Sequence, residues 1–247
     1  MRFVDQVVLV TGGGSGIGRA AALAFAAEGA TVAVAGRSAE PLAQTVKLIG
    51  GTASFVVADV TREDDVAALV ETVVRRHGGL HVAFNNAGVF VGGGVADLSV
   101  EEWSRAVDAN LTGTWLSMKH EIAHMRSHGG GTIVNTASNL GAHGRRAGIS
   151  AYVATKAAVS ALTRNAALEH IGDGIRINAV SPGPVDTPMS MQPGETPADR
   201  AARLRSALPI GRVGALDEVT SAVLWLASTE SGFTVGHDLV LDGGATA

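Results

Sequence analysis

The 247-residue chain contains no cysteine. That excludes a disulfide framework and any thiolate metal site. It has no basic run, and its net charge is −4, which argues against nucleic acid or an anionic membrane as a partner. No apolar run reaches the roughly 20 residues that a membrane span needs. The opening MRFVDQVVLVTGG lacks a basic region followed by a long apolar stretch, so no signal peptide is expected and a cytoplasmic enzyme is. There is no compositional shift strong enough to mark a second domain, and the length fits one large α/β domain over residues 1–247. No metal site is expected.

What is present is an apolar fraction of 46%, enough for a substantial core, and 32 scattered glycines that suit the tight turns of an alternating βα chain. The stretch SAYVATKAAVSALT, beginning at Ser150, stands out. Its Ala-rich flanks predict a helix, which places Tyr152 and Lys156 on one face, one turn apart. A free tyrosine has a pKa of about 10. A neighbouring cation favours the phenolate, and a shift of about 3 units takes roughly 4 kcal/mol of differential interaction. The spacing alone also fits an ordinary surface Tyr and Lys on an amphipathic helix.

Upstream, Val7 to Val10 reads as a buried strand, TGGGSGIG (Thr11 to Gly18) as a glycine loop, and the Ala-rich run to about Glu28 as a helix stopped by Gly29. Strand, glycine loop and helix form the context of a dinucleotide fingerprint. Gly12 allows the turn, Gly16 and its neighbours let backbone approach a pyrophosphate, and Gly18 lets the helix sit against the strand. The helix N-terminus offers free N–H groups to the phosphates. The loop residues Gly14, Ser15 and Ile17 belong to the same cradle. A second strand, Thr31 to Ala35, ends in Gly36-Arg37, where an acidic residue would bind a ribose 2′-hydroxyl and repel a 2′-phosphate. Gly36 removes that repulsion and Arg37 can pair with a phosphate. NADP(H) is therefore expected as the preferred cofactor, with NAD(H) as the alternative.

Further strands are expected at Ala53 to Ala58, Val82 to Phe84, Thr132 to Thr136, Ile175 to Val180 and Leu239 to Leu241, and helices at Ala39 to Leu48 and Leu216 to Ala227. After the third strand, Asp59 could accept from an adenine amine with Val60 packed nearby, or be an ordinary polar residue. Thr61 with Asp64 suggests a capping box for a helix ending at His77. His77 and His81 read as surface residues. Asn85-Asn86-Ala87-Gly88 could let a cofactor ring lie on the backbone or tie neighbouring strands. Ser99 with Glu102 predicts a capping box for one long helix to about Ser127, with Asn110 inside it, unfavourable by propensity and suited to a kink that holds a water. Ser138 lies just beyond a strand end, where ligands bind in open α/β sheets. A flexible loop from Gly141 leads to the Tyr152 helix, which extends to about His170. SPGPVDTPM suits a nicotinamide rim, and the polar, irregular chain from about 188 to 210 suits a mobile lid.

Together these residues resemble the short-chain dehydrogenase/reductase family along essentially the whole chain. The pieces are Thr11 to Gly18, Asp59, Asn85 to Gly88, Asn110, Ser138, Tyr152-x3-Lys156, and Pro182, Gly183 and Thr187. The resemblance implies a Rossmann-type doubly wound parallel sheet of seven strands in the order 3-2-1-4-5-6-7. It also implies a nicotinamide cofactor held by the glycine loop, Arg37, Asp59, Val60, Asn86, Ala87, Gly88, Tyr152, Lys156, Pro182, Gly183, Val185 and Thr187. The implied catalytic tetrad is Asn110, Ser138, Tyr152 and Lys156, acting on a carbonyl/secondary alcohol pair. In it Tyr152 exchanges the proton, Lys156 lowers its pKa and binds ribose, Ser138 orients the substrate, and Asn110 holds a relay water. A homotetramer using the helices near Asn110 and Tyr152 and the C-terminal segment is also implied. Ser138 to Tyr152 is about one residue longer than the family's commonest spacing, which places an extra residue in GAHGRRAG; there one of His143, Arg145 and Arg146 could read a polar or anionic substrate, or the three could form an ordinary solvated basic loop. A non-catalytic dinucleotide sensor and an epimerase or dehydratase of the same architecture are the alternatives. Tyr152 and Lys156 speak against the first, and the lack of an added substrate region speaks against the second.

Overall fold

Seven short apolar runs become seven parallel strands in one sheet: β1 (Val7–Thr11), β2 (Thr31–Gly36), β3 (Ser54–Val57), β4 (Val82–Asn85), β5 (Gly131–Thr136), β6 (Ile175–Pro182) and β7 (Asp238–Leu241). Their order is β3-β2-β1-β4-β5-β6-β7. The computed structural model describes residues 1–192 and 194–247. Pro193, within the predicted lid, lies outside the described residues. Alternation along β1 explains the layering. Val8 and Val10 join Phe25, Val223 and Leu226 on one face of the sheet, while Val7 and Leu9 join Leu69, Met125 and Ile133 on the other. The helices behind these clusters are α1 (Gly16–Ala27), α2 (Ala39–Ile49), α3 (Glu63–His77), α4 (Val100–Ala106), α5 (Gly113–Ser127), α6 (Ser150–His170), α7 (Pro197–Ala207) and α8 (Leu216–Ala227). Among the described residues, none of the helices is long and apolar enough to cross a membrane.

The strand order reverses between β1 and its two neighbours, β2 and β4. That places the crevice for a ligand beyond the carboxyl ends of β1 and β4. Gly12 (φ 66°) turns the chain out of β1, and Gly16 (φ 51°) turns it into α1. Gly18 brings α1 against the turn, since a Cβ there would lie 2.3 Å from the Gly12 carbonyl oxygen.

Three local expectations are corrected. Thr61 and Asp64 form no capping box: Asp59 Oδ1 accepts both the Thr61 amide (3.0 Å) and the Thr61 hydroxyl (2.9 Å), and α3 starts after Arg62 with no side-chain cap. The long helix after Ser99 is interrupted. Its Ser99–Glu102 capping box is present, but residues Val107–Thr112 form a π-helical segment between α4 and α5, the kind of bulge that accumulates at functional sites. The chain from 188 to 210 is not irregular throughout, because Thr196 and Asp199 cap α7 reciprocally. Arg203 then pairs with Glu195 at 2.6 Å, and Arg200 with Asp186 at 2.5 Å.

Two glycine sites make the packing testable. Gly18→Ala forces a backbone clash and is expected to cost about 1–3 kcal/mol, the usual range for overpacking. Gly36→Ala meets only ordinary contact, with Leu42 at 3.6 Å, and is expected to stay within about 1 kcal/mol of the wild type. Equal urea-unfolding midpoints for the two variants would contradict this picture.

Candidate active site

Gly88 marks where the predicted residues meet. A Cβ there would lie 2.9 Å from Asn110 Oδ1 and 3.6 Å from Lys156 Nζ. Asn110 is fully buried. Its Oδ1 accepts the Val89 amide at 2.7 Å, and its Nδ2 donates to the Val89 carbonyl (3.0 Å) and Thr155 Oγ1 (3.2 Å). The side chain thus clips the chain after Gly88 to the π segment. Its main-chain carbonyl accepts the Thr114 hydroxyl at 2.8 Å. Thr155 completes the connection by donating to the Tyr152 carbonyl at 3.0 Å. Sequence reasoning missed Thr155; its position three residues after Tyr152 on the inward face of α6 was the only signal.

Lys156 is 5% exposed and donates to the Thr136 carbonyl at 2.7 Å. Burial pushes its ammonium down to about 8. The ammonium lies 6.0 Å from the centre of the Tyr152 ring. Burial also raises the Tyr152 phenol above its ordinary value, and the nearby Ser138 hydroxyl opposes that shift only in part. Desolvation of the phenolate is the larger cause of this direction. The raised value favours the protonated phenol at neutral pH. Ser138 is buried at the end of β5, and its Oγ also accepts the Leu140 amide at 3.1 Å. On the open side, the Phe90 ring stands 5.3 Å from the Tyr152 ring.

The glycine loop fits a dinucleotide. Ser15 caps α1 without a side-chain hydrogen bond, and no acid occupies the first turn, so the amides there are open to phosphate oxygens. Thr187 lies over the loop, 3.4 Å from where a Gly16 Cβ would stand. Behind it, Arg19 donates to the Gly14 carbonyl and, at 3.2 Å, to that of Pro41, and the Thr45 hydroxyl donates to the Gly13 carbonyl at 2.8 Å. Neither support was visible in the sequence, because both depend on α2 packing across the loop. The Thr11 hydroxyl accepts the amides of Asn86 (3.1 Å) and Ala87 (3.2 Å), and Asn86 Nδ2 donates to the Thr11 carbonyl at 3.3 Å. Of the two roles left open for these asparagines, the structure shows the tying of strands. Arg37, exposed at the end of β2, lines a groove of about 680 Å³ with Asp59, Phe90 and Arg105. Val60 packs against the start of α5. On the far rim, Pro182 accepts the Asn139 amide at 3.1 Å, Gly183 donates to the Leu241 carbonyl at 2.9 Å, and Val185 accepts the Thr187 amide at 2.7 Å. Among the described residues no group of three or more His, Asp or Glu could hold a metal ion.

This arrangement has close counterparts. Residues 12–246 match the family described as Enoyl-(Acyl carrier protein) reductase. The cis-4-hydroxycyclohexanecarboxylate dehydrogenase of Sinomonas cyclohexanicum is 42% identical over 99% of this chain and 98% of that protein. The chain is a short-chain dehydrogenase/reductase. A second relative of this oxidoreductase, the cyclohexanol dehydrogenase of Acinetobacter sp. (strain SE19), is 39% identical over 100% of the chain and 97% of its own length. The crystal structure of levodione reductase superposes with a TM-score of 0.93 at 35% identity, covering 99% of both chains. Short-chain dehydrogenase/reductases use a nicotinamide dinucleotide, and the glycine cradle fits one.

One buried group lies behind the site. Glu121 on α5 is fully buried, accepts from Asn85 Nδ2 at 2.9 Å, and has its other oxygen unpartnered. Asn85 Nδ2 also reaches Asn135 Oδ1 at 3.1 Å, so β4 and β5 are tied together beneath the site. Burial lifts the Glu121 carboxyl to about 7. A carboxyl raised in the folded state binds a proton that the unfolded chain has already released. Its contribution is therefore neutral below about pH 4.5 and increasingly destabilising up to about pH 7, where it levels off. Between pH 5 and 8 this carboxyl is expected to cost the wild type about 2–3 kcal/mol. Glu121→Gln should abolish most of that slope in denaturant titrations run at each pH; an unchanged slope would refute the assignment.

Proposed function

We propose that the chain interconverts a cyclic secondary alcohol and its ketone, with Tyr152 as proton donor and acceptor, NADP(H) preferred over NAD(H), and Asn110, Ser138 and Lys156 completing the catalytic set. The observation that carries the reading is the convergence of Tyr152, the buried Ser138 and the buried Lys156 ammonium beyond the carboxyl end of β5. The bound nicotinamide would supply the hydride acceptor or donor. Tyr152 Oη, protonated at neutral pH, would give its proton to the oxygen of a ketone undergoing reduction. In oxidation the same oxygen, as phenolate, would take the hydroxyl proton. Ser138 would donate to the substrate oxygen and hold it against the phenol. Lys156 would fix the ribose and place positive charge beside the phenolate as it forms. Asn110, clipped to Val89, would hold the π segment where a water can bridge toward Lys156.

A six-membered carbocyclic substrate is supported by the relatives named for cyclohexanol and hydroxycyclohexanecarboxylate and by the apolar wall of Val89, Phe90 and Val91 beside Tyr152. The NADP preference rests on Gly36 and on an Arg37 left exposed at the groove. A lid over residues 188–210 would close on the pocket, and residues 1–247 would act as one domain. A homotetramer is supported by the apolar exposure of Trp115 on α5, Leu168 on α6 and Phe233 ahead of β7. A cytoplasmic location suits a reaction that draws on the cell's nicotinamide pool.

Cyclohexanol oxidation, followed at the reduced-nicotinamide band, tests the reading. Tyr152→Phe is expected to lower kcat/KM by about 100-fold or more, the scale of a lost general acid–base, with cofactor Kd unchanged; near-wild-type turnover would sink the mechanism. Because the phenol is raised, alcohol oxidation should climb as pH rises through neutrality. Ketone reduction should stay flat until Lys156 loses its proton near pH 8. Arg37→Ala should cost NADP about tenfold or more in kcat/KM, as expected for a charge-assisted contact, and leave NAD nearly unaffected. A wild type that prefers NAD would overturn the cofactor assignment.

A further inference from the structure

A second buried carboxylate lies on the same face of the sheet as Glu121, at β7 beside α6. Asp238 opens β7 with its side chain 3% exposed. Its Oδ1 accepts the Ser181 hydroxyl at 2.5 Å, and its Oδ2 accepts the Ser160 hydroxyl at 2.5 Å and His143 Nε2 at 2.9 Å. Each donor comes from a different element. Ser181 precedes the Pro182-Gly183 rim on β6, Ser160 stands one turn after Lys156 on α6, and His143 belongs to the loop joining Ser138 to Tyr152. The mixture of Ser, His and Asp is not a nucleophilic triad. Both serines donate to the carboxylate rather than to the imidazole, and both are fully buried, so no hydroxyl is activated or presented to a substrate.

The loop itself is a closed turn. Gly144 donates to the Asn139 carbonyl at 2.7 Å, and Gly141 donates to the Gly144 carbonyl at 2.8 Å. Asn139 donates from its amide to the Pro182 carbonyl and from Nδ2 to Asp242 Oδ2 at 3.3 Å. His143 is the tip of this turn. A carboxylate only accepts, so Nε2 carries the proton and the ring is held facing β7. Arg145 and Arg146, the next two residues, are exposed and form no hydrogen bond or ion pair among the described residues. The extra residue between Ser138 and Tyr152 is thus accommodated in a turn whose tip is fastened from behind.

We propose that His143 is a positioning residue for the substrate pocket: by anchoring the Ser138–Tyr152 loop to the Asp238 carboxylate, it holds the pocket wall in the shape that accepts a compact cyclic alcohol. The substrate half of this rests on the function proposed above; the anchoring half does not. Removing His143 leaves Asp238 its two serine donors, so the fold survives and the loop alone is released.

The test compares the full-length wild type with His143→Ala, His143→Leu and His143→Gln, the last having an amide nitrogen able to reach Asp238 in place of Nε2. For cyclohexanol, Ala and Leu are expected to raise KM about tenfold, the scale of one hydrogen bond to a charged group, with kcat within about twofold and cofactor Kd unchanged. Gln should recover most of the loss. In hydrogen exchange without substrate, amides of residues 139–149 should lose protection in Ala and Leu and regain it in Gln, while those of β1 and β4 stay as in the wild type. Wild-type exchange in Ala, or equal loss in Gln and Ala, overturns the proposal. Absence of cyclohexanol turnover by the wild type overturns the substrate reading, and the exchange measurement then decides the anchoring by itself.

Discussion

The ammonium of Lys156 is the constraint on which the site depends. A cation 5% exposed, with one protein acceptor at 2.7 Å, is costly to bury unless its surroundings serve it. Three features follow from accommodating it. Helix α6 must run close beneath β5, so that the Thr136 carbonyl is within reach. Residue 88 must be glycine, because a side chain there would enter the space between Lys156 and Asn110. Asn110 must be held inward by its bonds to Val89 and Thr155, since it closes the other side of that space. The lowered proton affinity of the lysine comes from the same burial.

The other half of the crevice is governed by close backbone approach rather than by charge. Gly12 and Gly18 each remove a side chain that would collide with the chain after β4 or with the turn itself, and Gly16 supplies a positive φ. Side chains behind the loop, Arg19 and Thr45, occupy carbonyls that would otherwise turn toward a phosphate. The loop thus presents amides forward and has several of its carbonyls tied back, which is the polarity an anion needs.

Much of this was legible in the chain because it depends on local periodicity. The seven strands, α8 and the extent of α6 follow from apolar runs bounded by glycine, and the glycine loop follows from its position between strand and helix. What escaped was non-local. The failed cap at Thr61 was decided by Asp59, two residues upstream, taking both of its donors. The π segment has no pattern of its own, since Val107 to Thr112 reads as ordinary helix until Asn110 is seen to turn inward. Helix α7 was hidden because its face is filled by arginines, with Arg200 buried and Arg203 paired to Glu195. The direction of the Tyr152 shift could not be read at all, because spacing reveals that a cation is near but not how much water the phenol has lost.

The π segment also has a geometric consequence for the chain that follows. An α-helix advances about 100° per residue, and the π turn takes up one extra residue by widening, so α5 keeps its facing although the residue count has slipped by one. Ala106 before the bulge and Met118, Glu121, Ile122 and Met125 after it are all buried. Deleting one residue from this segment would close the wide turn and leave α5 facing the sheet as before, while withdrawing Asn110 from its bonds to Val89 and Thr155. The bulge is therefore a local widening that turns Asn110 inward without re-aiming the helices on either side of it.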